Sequence, residues 1–234
     1  MAIYAVADLH LSFLDPKPMD VFGDNWANHE MKIKEDWEKK VREEDLVLIP
    51  GDFSWAMALE DTYKDFEYLN NLPGRKIMLK GNHDYWWNSL KKLNEYIEDK
   101  EYKNIQFLYN NSYEFDGKII CGTRGWNIVP AEENDETIIK RELIRLELSI
   151  SDGIRNFGEG KEIIVCMHFP PTNKTLLEDS EFIKLMKKYN VKKCIYGHLH
   201  GEAHKEAVEG NIGGIDVKLV SSDFLDFKLE KICD

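Results

Sequence analysis

Five short apolar stretches in this chain each break off into a residue that can ligate a metal. Ala2 to Ala7 runs into Asp8 and His10, and Leu46 to Pro50 into Asp52. Lys76 to Leu79 leads into Asn82, Glu162 to Met167 into His168, and Lys193 to Tyr196 into His198 and His200. Runs of this length and composition read as buried strands. Between most of them lie segments with apolar residues at helical spacing, about 26–44, 60–71, 89–99, 136–151 and 178–189. Strands alternating with helices predict an α/β protein. In open α/β sheets, ligand sites form at the carboxyl ends of the strands. The pattern therefore constrains both the class of fold and the edge at which chemistry sits.

Local signals fill in the rest. Trp26, Ile33, Trp37 and Val41 keep to one stripe of the first helix, where His29 reads as a surface residue. Pro16 and Pro18 make 11–25 a loop, and Pro73-Gly74 ends the second helix. Strands are expected at 105–109 and 118–121, with Asp116-Gly117 as a hairpin-type turn before the second. Residues 153–160 read as a glycine-containing linker that ends the fourth helix, and 217–220 and 224–229 as an extended tail. No repeat or composition break divides the 234 residues, so one domain over 1–234 is expected.

Charge and cysteine usage narrow the setting. A formal net charge of -12 disfavours nucleic acid and anionic membrane as partners. No run approaches the ~20 apolar residues that span a bilayer. Asp8 and His10 interrupt the first apolar stretch too early for a signal peptide. None of the four cysteines forms a Cys-x-x-Cys pair, and three lie in apolar runs as small buried hydrophobes. A reducing, cytoplasmic setting is the expectation.

The strand-end residues are nitrogen and oxygen donors, with no thiolate among them, which suits first-row divalent ions. A closed single-ion site takes four ligands. Asp8, His10, Asp52, Asn82, His168, His198 and His200 are too many for that and suit two ions sharing a carboxylate. Gly81-Asn82-His83-Asp84 alone could be a turn whose Asn and Asp bond their own backbone. The other strand ends favour the ligand reading.

The ordered set Asp8-Leu9-His10, Gly51-Asp52, Gly81-Asn82-His83-Asp84, His168 and Gly197-His198-Leu199-His200 resembles the calcineurin-like metallophosphoesterase superfamily. The match runs from residue 8 to residue 200 without a departure. The phrasing Gly-Asp-x-Ser-Trp and Gly-Asn-His-Asp-Tyr-Trp-Trp is most similar to small bacterial phosphohydrolases. The resemblance implies a four-layer αββα sandwich of two mixed β-sheets flanked by helices. It implies one ion on Asp8, His10, Asp52 and His200, and a second on Asp52, Asn82, His168 and His198, with Asp52 bridging. Manganese, iron, zinc, nickel and cobalt all suit these ligands. The implied activity is hydrolysis of a small-molecule phosphomonoester or phosphodiester by a metal-bridging hydroxide. His83 is then the general acid, and Asp84 orients its ring.

Arg124, at a strand end between glycines, could clamp a phosphate oxygen beside Trp126, or sit in a surface ion pair. Trp55, Tyr85, Trp86 and Trp87 flank the metal motifs and are read as core packing rather than as a platform for a nucleobase. His204 reads as solvent-exposed. The competing function is a non-catalytic scaffold that keeps the fold for binding. Such members have usually lost ligands or the catalytic histidine, and this chain has the full set.

Overall fold

The computed structural model describes residues 1–234. Strands β1 (Ile3–Ala5), β2 (Leu46–Ile49), β3 (Arg75–Leu79), β4 (Ile105–Leu108) and β11 (Glu230–Cys233) form one sheet in the order β11-β1-β2-β3-β4. Strands β5 (Tyr113–Phe115), β6 (Lys118–Thr123), β7 (Glu162–Met167), β8 (Lys193–Tyr196), β9 (Gly210–Ile212) and β10 (Ile215–Leu219) form the second, in the order β5-β6-β7-β8-β10-β9. Neighbours are parallel in the interior of each sheet and antiparallel at the edges β11, β5 and β9.

Helices α1 (His29–Lys40), α2 (Tyr63–Asn70) and α3 (Leu90–Asp99) cover the outer face of the first sheet. Helices α4 (Asp135–Phe157) and α5 (Glu181–Lys188) cover the second. The period-2 alternation of strand side chains explains the layering. In β2, Val47 and Ile49 join Trp37, Phe66 and Leu93 under the helices. Leu46 and Leu48 point the other way, to a middle core shared with Ile120, Ile164 and Ile195 of the second sheet. Both faces of the central strands are buried, which is why they read as continuous apolar runs. The arrangement is the expected αββα sandwich. No helix is long and apolar enough to cross a membrane.

Several boundaries differ from expectation. The helix expected to end near residue 151 runs through Gly153 to Phe157. A side chain at Gly153 would collide with Ile119, so this glycine is a close-packing contact with β6 rather than a stop. Helix α1 starts only at His29, and Trp26 sits in a short 3-10 turn before it. The second and fifth helices likewise open as 3-10 turns, at 59–62 and 177–179. The tail is extended at Ile215–Leu219, but Asp226 and Phe227 take φ of 53° and 56° and coil 224–227 into a turn. The last strand is Glu230–Cys233, a partly polar edge strand with little periodic signal.

Lys76 of β3 is fully buried, and its ammonium donates to the Leu72 carbonyl with no carboxylate in ion-pair reach. Burial pushes its pKa down to about 7. The unfolded chain therefore binds more protons than the folded one between pH 7 and about 10.4, and stability rises with pH across that window. Urea titrations should show the stability gap between Lys76→Met and the parent closing by about 1 kcal/mol per pH unit from pH 7 upward. A gap independent of pH would refute the buried-ammonium account.

Candidate metal centre

The first motif does not reach the site by strand alternation. Asp8 and His10 sit beyond β1 with φ of 60° and 47°, and Leu9 between them is buried. Asp52 and His198 also take left-handed backbone, with φ of 51° and 73°. Such conformations are uncommon for residues other than glycine, and where they cluster they mark functional sites. Here four of the seven expected ligands adopt them.

The motif glycines have a steric reason. A Cβ at Gly81 would collide with Asp52 Oδ1, one at Gly51 would lie 2.6 Å from His168 Nδ1, and one at Gly197 2.5 Å from Asp8 Oδ2. Each glycine leaves room for a ligand side chain contributed by a different segment.

All seven expected ligands converge. The donor atoms of Asp8, His10 and His200 lie within 4.8 Å of one another, and so do those of Asp8, Asp52 and His168. Asp52 Oδ2 is 3.8 Å from His10 Nε2 and 3.5 Å from His168 Nε2. Asn82 Oδ1 is 2.6 Å from His168 Nε2 and 2.9 Å from His198 Nδ1.

The donor set fits cations. His168 Nδ1 donates to the Pro50 carbonyl at 3.0 Å, so in the neutral ring Nε2 carries a lone pair. That lone pair points at the Asn82 carbonyl oxygen and at Asp52. His200 Nδ1 likewise donates to Asp223 Oδ1 at 2.8 Å. Its Nε2 then faces His10 Nε2 and Asp8 Oδ1, each at 3.4 Å. Although burial opposes it, Asp8 and then Asp223 push this ring's pKa up to about 10, so that in the metal-free pocket His200 carries the positive charge beside Asp8. His10 Nδ1 is buried with no hydrogen-bond partner. Burial, then Asp8, pushes Asp52 up to about 8. Burial, then His168, pulls His198 down to about 3. Lone pairs and carboxylates aimed at each other in a buried pocket repel unless a positive ion lies between them.

Asp223 escaped the sequence reading. Its Oδ1 holds His200, its Oδ2 lies 3.3 Å from His204 Nε2, and it also accepts the Gly201 amide. A carboxylate on the far nitrogen of a ligating imidazole fixes its tautomer and orientation. The usable signal was the same as elsewhere, an apolar run (217–220) breaking into Asp223. His204 is accordingly half-buried beside Asp223, not solvent-exposed as expected.

His29 is also not on the surface. It is buried, and its Nε2 donates to the carbonyl of Leu9 at 2.9 Å. It thus braces the backbone between Asp8 and His10 from the start of α1.

Asp84 does not orient the His83 ring. Its Oδ2 accepts the amides of Asp52 and Gly81 at 2.9 and 2.7 Å. Its Oδ1 accepts the amides of Phe53 and Ser54 and the Trp86 indole. The carboxylate ties the two metal-motif turns together. Asp84→Asn would set an amide NH2 against backbone N–H groups and should cost at least ~3 kcal/mol, measured by urea denaturation. A loss below ~1 kcal/mol would contradict this bracing role.

His83 belongs to neither group of ligand atoms, although its ring centroid lies 5.8 Å from that of His10. Its ring packs 4.6 Å from Trp55, and Tyr85 Oη lies 3.5 Å from its Nδ1. Trp55 also stacks on His10 at 4.8 Å. Trp86 and Trp87 are buried in the core as expected, whereas Trp55 and the exposed Tyr85 border the site.

Arg124 follows β6, and its carbonyl accepts the amides of His168 and Phe169 at 3.1 and 2.9 Å. Its guanidinium lies 4.7 Å from the Trp126 ring, and it makes no ion pair with a carboxylate. Trp126 Nε1 donates to Asp135 Oδ1 at 2.8 Å, anchoring this loop to the start of α4.

A family model described as calcineurin-like phosphoesterase matches residues 1–202. Gene 66 protein of Mycobacterium phage D29 is 37% identical over 62 residues, 26% of this chain and 31% of the phage protein. The match thus spans about a third of the length of that curated relative. TT1561 of Thermus thermophilus superposes with a TM-score of 0.57 at 14% identity, over 99% of this chain and 97% of that one. The protein of unknown function AQ665 from Aquifex aeolicus gives 0.50 at 19% identity, over 98% and 95%. At such identities the solved structures bear on the fold alone.

Proposed function

The chain belongs to the calcineurin-like phosphoesterase family, and on that premise we propose that it is a phosphohydrolase that uses two divalent cations to cleave a small phosphomonoester or phosphodiester. The observation that carries this reading is the aim of the His168 Nε2 lone pair at Asn82 Oδ1, 2.6 Å away, in a pocket that also gathers Asp8, Asp52, His10, His198 and His200. Bound divalent ions, manganese among the suitable ones, supply Lewis acidity and a nucleophile at neutral pH.

The protein's own groups do the rest. Asp8, His10, Asp52 and His200 form one ligand set, and Asp52, Asn82, His168 and His198 the other. Asn82 adds an oxygen without a further negative charge, so the centre stays positive for a phosphate in an otherwise acidic protein. Tyr85 Oη lies 3.5 Å from His83 Nδ1, at the rim of the site. In its protonated form the His83 ring gives a proton to the departing oxygen and returns to the neutral imidazole. Arg124 holds an anionic oxygen of the substrate, and Trp55 and Tyr85 wall the entrance.

The test is turnover of p-nitrophenyl phosphate and bis(p-nitrophenyl) phosphate by protein stripped of metal and reloaded with manganese, iron, zinc, nickel or cobalt. Hydrolysis of at least one ester, lost on stripping and restored on reloading, is expected. No hydrolysis with any of the five ions would sink the proposal.

A further inference from the structure

Next to the metal centre, one strand further along each sheet, lies a cavity of about 520 Å³. Its floor is the carboxyl ends of β3, β4 and β6, and α4 forms one wall. Lys80, Arg124, Arg141 and Arg145 line it against a single carboxylate, Glu142. Glu142 is already engaged. It accepts from Thr123 Oγ1 at 2.7 Å and from Arg145 at 2.8 Å, with Arg141 at 3.7 Å. Lys80 and Arg124 have no carboxylate in ion-pair reach. Four cations against one carboxylate is an unusual concentration in a chain of net charge -12.

The walls also hold unmade hydrogen bonds. Arg124 Nε and Trp87 Nε1 are buried donors without an acceptor, and both residues line this cavity. Buried donors are nearly always paired, so two unpaired ones in the same walls mark a polar lining whose hydrogen bonds are incomplete. The location fits the same need. Lys80 lies two residues before Asn82, and Arg124 follows β6, the neighbour of the strand that delivers His168. Adjacent strands are ~4.8 Å apart, which places the cavity ~5–10 Å from the ligand cluster.

We propose that this cavity is an anion subsite that takes a second phosphate-class group of the substrate, ~5–10 Å from the ester that is cleaved. The substrate is then a phosphoester carrying two anionic groups. This rests on the phosphohydrolase reading for its role, but not for its affinity for anions.

Inorganic pyrophosphate titrated calorimetrically into metal-stripped protein at low salt probes the subsite alone. One molecule should bind per chain, and Lys80→Gln and Arg141→Gln should each weaken it ~5–10-fold, as expected for loss of a charge-assisted contact. Reloaded with manganese, both variants should hydrolyse p-nitrophenyl phosphate at the parent rate. They should lose ~5–10-fold in kcat/KM on a nucleoside 3′,5′-bisphosphate, relative to the 5′-monophosphate. Pyrophosphate binding that is absent, or unmoved by both substitutions, overturns the proposal, and so does an equal loss on monophosphate and bisphosphate. Binding that follows the substitutions in a protein that cleaves no phosphoester supports the subsite and overturns the hydrolase reading instead.

Discussion

Asp52→Asn is expected to strip the protein of bound divalent metal, to lower phosphoester turnover by at least ~10³-fold, and to make the metal-free protein more stable. Lewis-acid stabilisation is worth several kcal/mol, and each ~1.4 kcal/mol is a factor of ten in rate. Asp52 lies between His10 and His168, in reach of both ligand sets, so its loss weakens both. The stability effect has the opposite sign for a structural reason. Asp8 and Asp52 are buried carboxylates whose oxygens lie in one cluster with His168. Without a cation, burial and then Asp8 keep Asp52 protonated up to about pH 8, a proton uptake that the unfolded chain does not need at neutral pH, and a neutral amide avoids that cost. The asparagine oxygen can still accept the His83 amide, which Asp52 Oδ1 now holds at 2.8 Å, so the turn survives. Calorimetry of metal-free protein should show a melting temperature raised by roughly 2–8 °C. Retained metal, or a lower melting temperature in the metal-free variant, would show that Asp52 does not hold ions.

His83→Ala is expected to separate catalysis from metal binding. Metal content should match the parent, because no ring atom of His83 belongs to either ligand cluster. The value of kcat should fall ~10²–10⁴-fold on an alkyl phosphate, the usual worth of a positioned proton donor. On p-nitrophenyl phosphate the fall should be smaller, since p-nitrophenolate leaves without a proton. Equal losses on both esters would mean that His83 stabilises phosphoryl charge instead. Full activity on both would remove it from the chemistry.

The strand-end cluster of candidate ligands was legible because an apolar run that stops at Asp, Asn or His is a local pattern, and the parallel order of strands gathers those stops at one edge. The proton-donor role proposed for His83 came only from the family likeness. Roles that depend on a distant partner were not legible. Asp84 looked like an orienting group beside His83, but its oxygens are used by amides of Gly81 and of the turn at 52–54. His29 has a helix-surface neighbourhood in sequence and a buried one in space, because the Leu9 carbonyl arrives from another segment. Asp223 is separated by 23 positions from the histidine it orients.

The cation-lined cavity is the clearest case of this divide. Arg141 and Arg145 look like ordinary solvated charges on α4, and Lys80 like the polar end of a strand. Their shared surroundings exist only because α4 packs on β6 and β6 lies beside β7, across from β3 and β4. Backbone periodicity and turn chemistry act over a few residues, so fold class, strand ends and the donor residues that gather there can be read from residue order. The shape of a pocket, the partner of a buried carboxylate and the charge balance around an anion arise from contacts between segments far apart in the chain, and those are set when the two sheets close on each other.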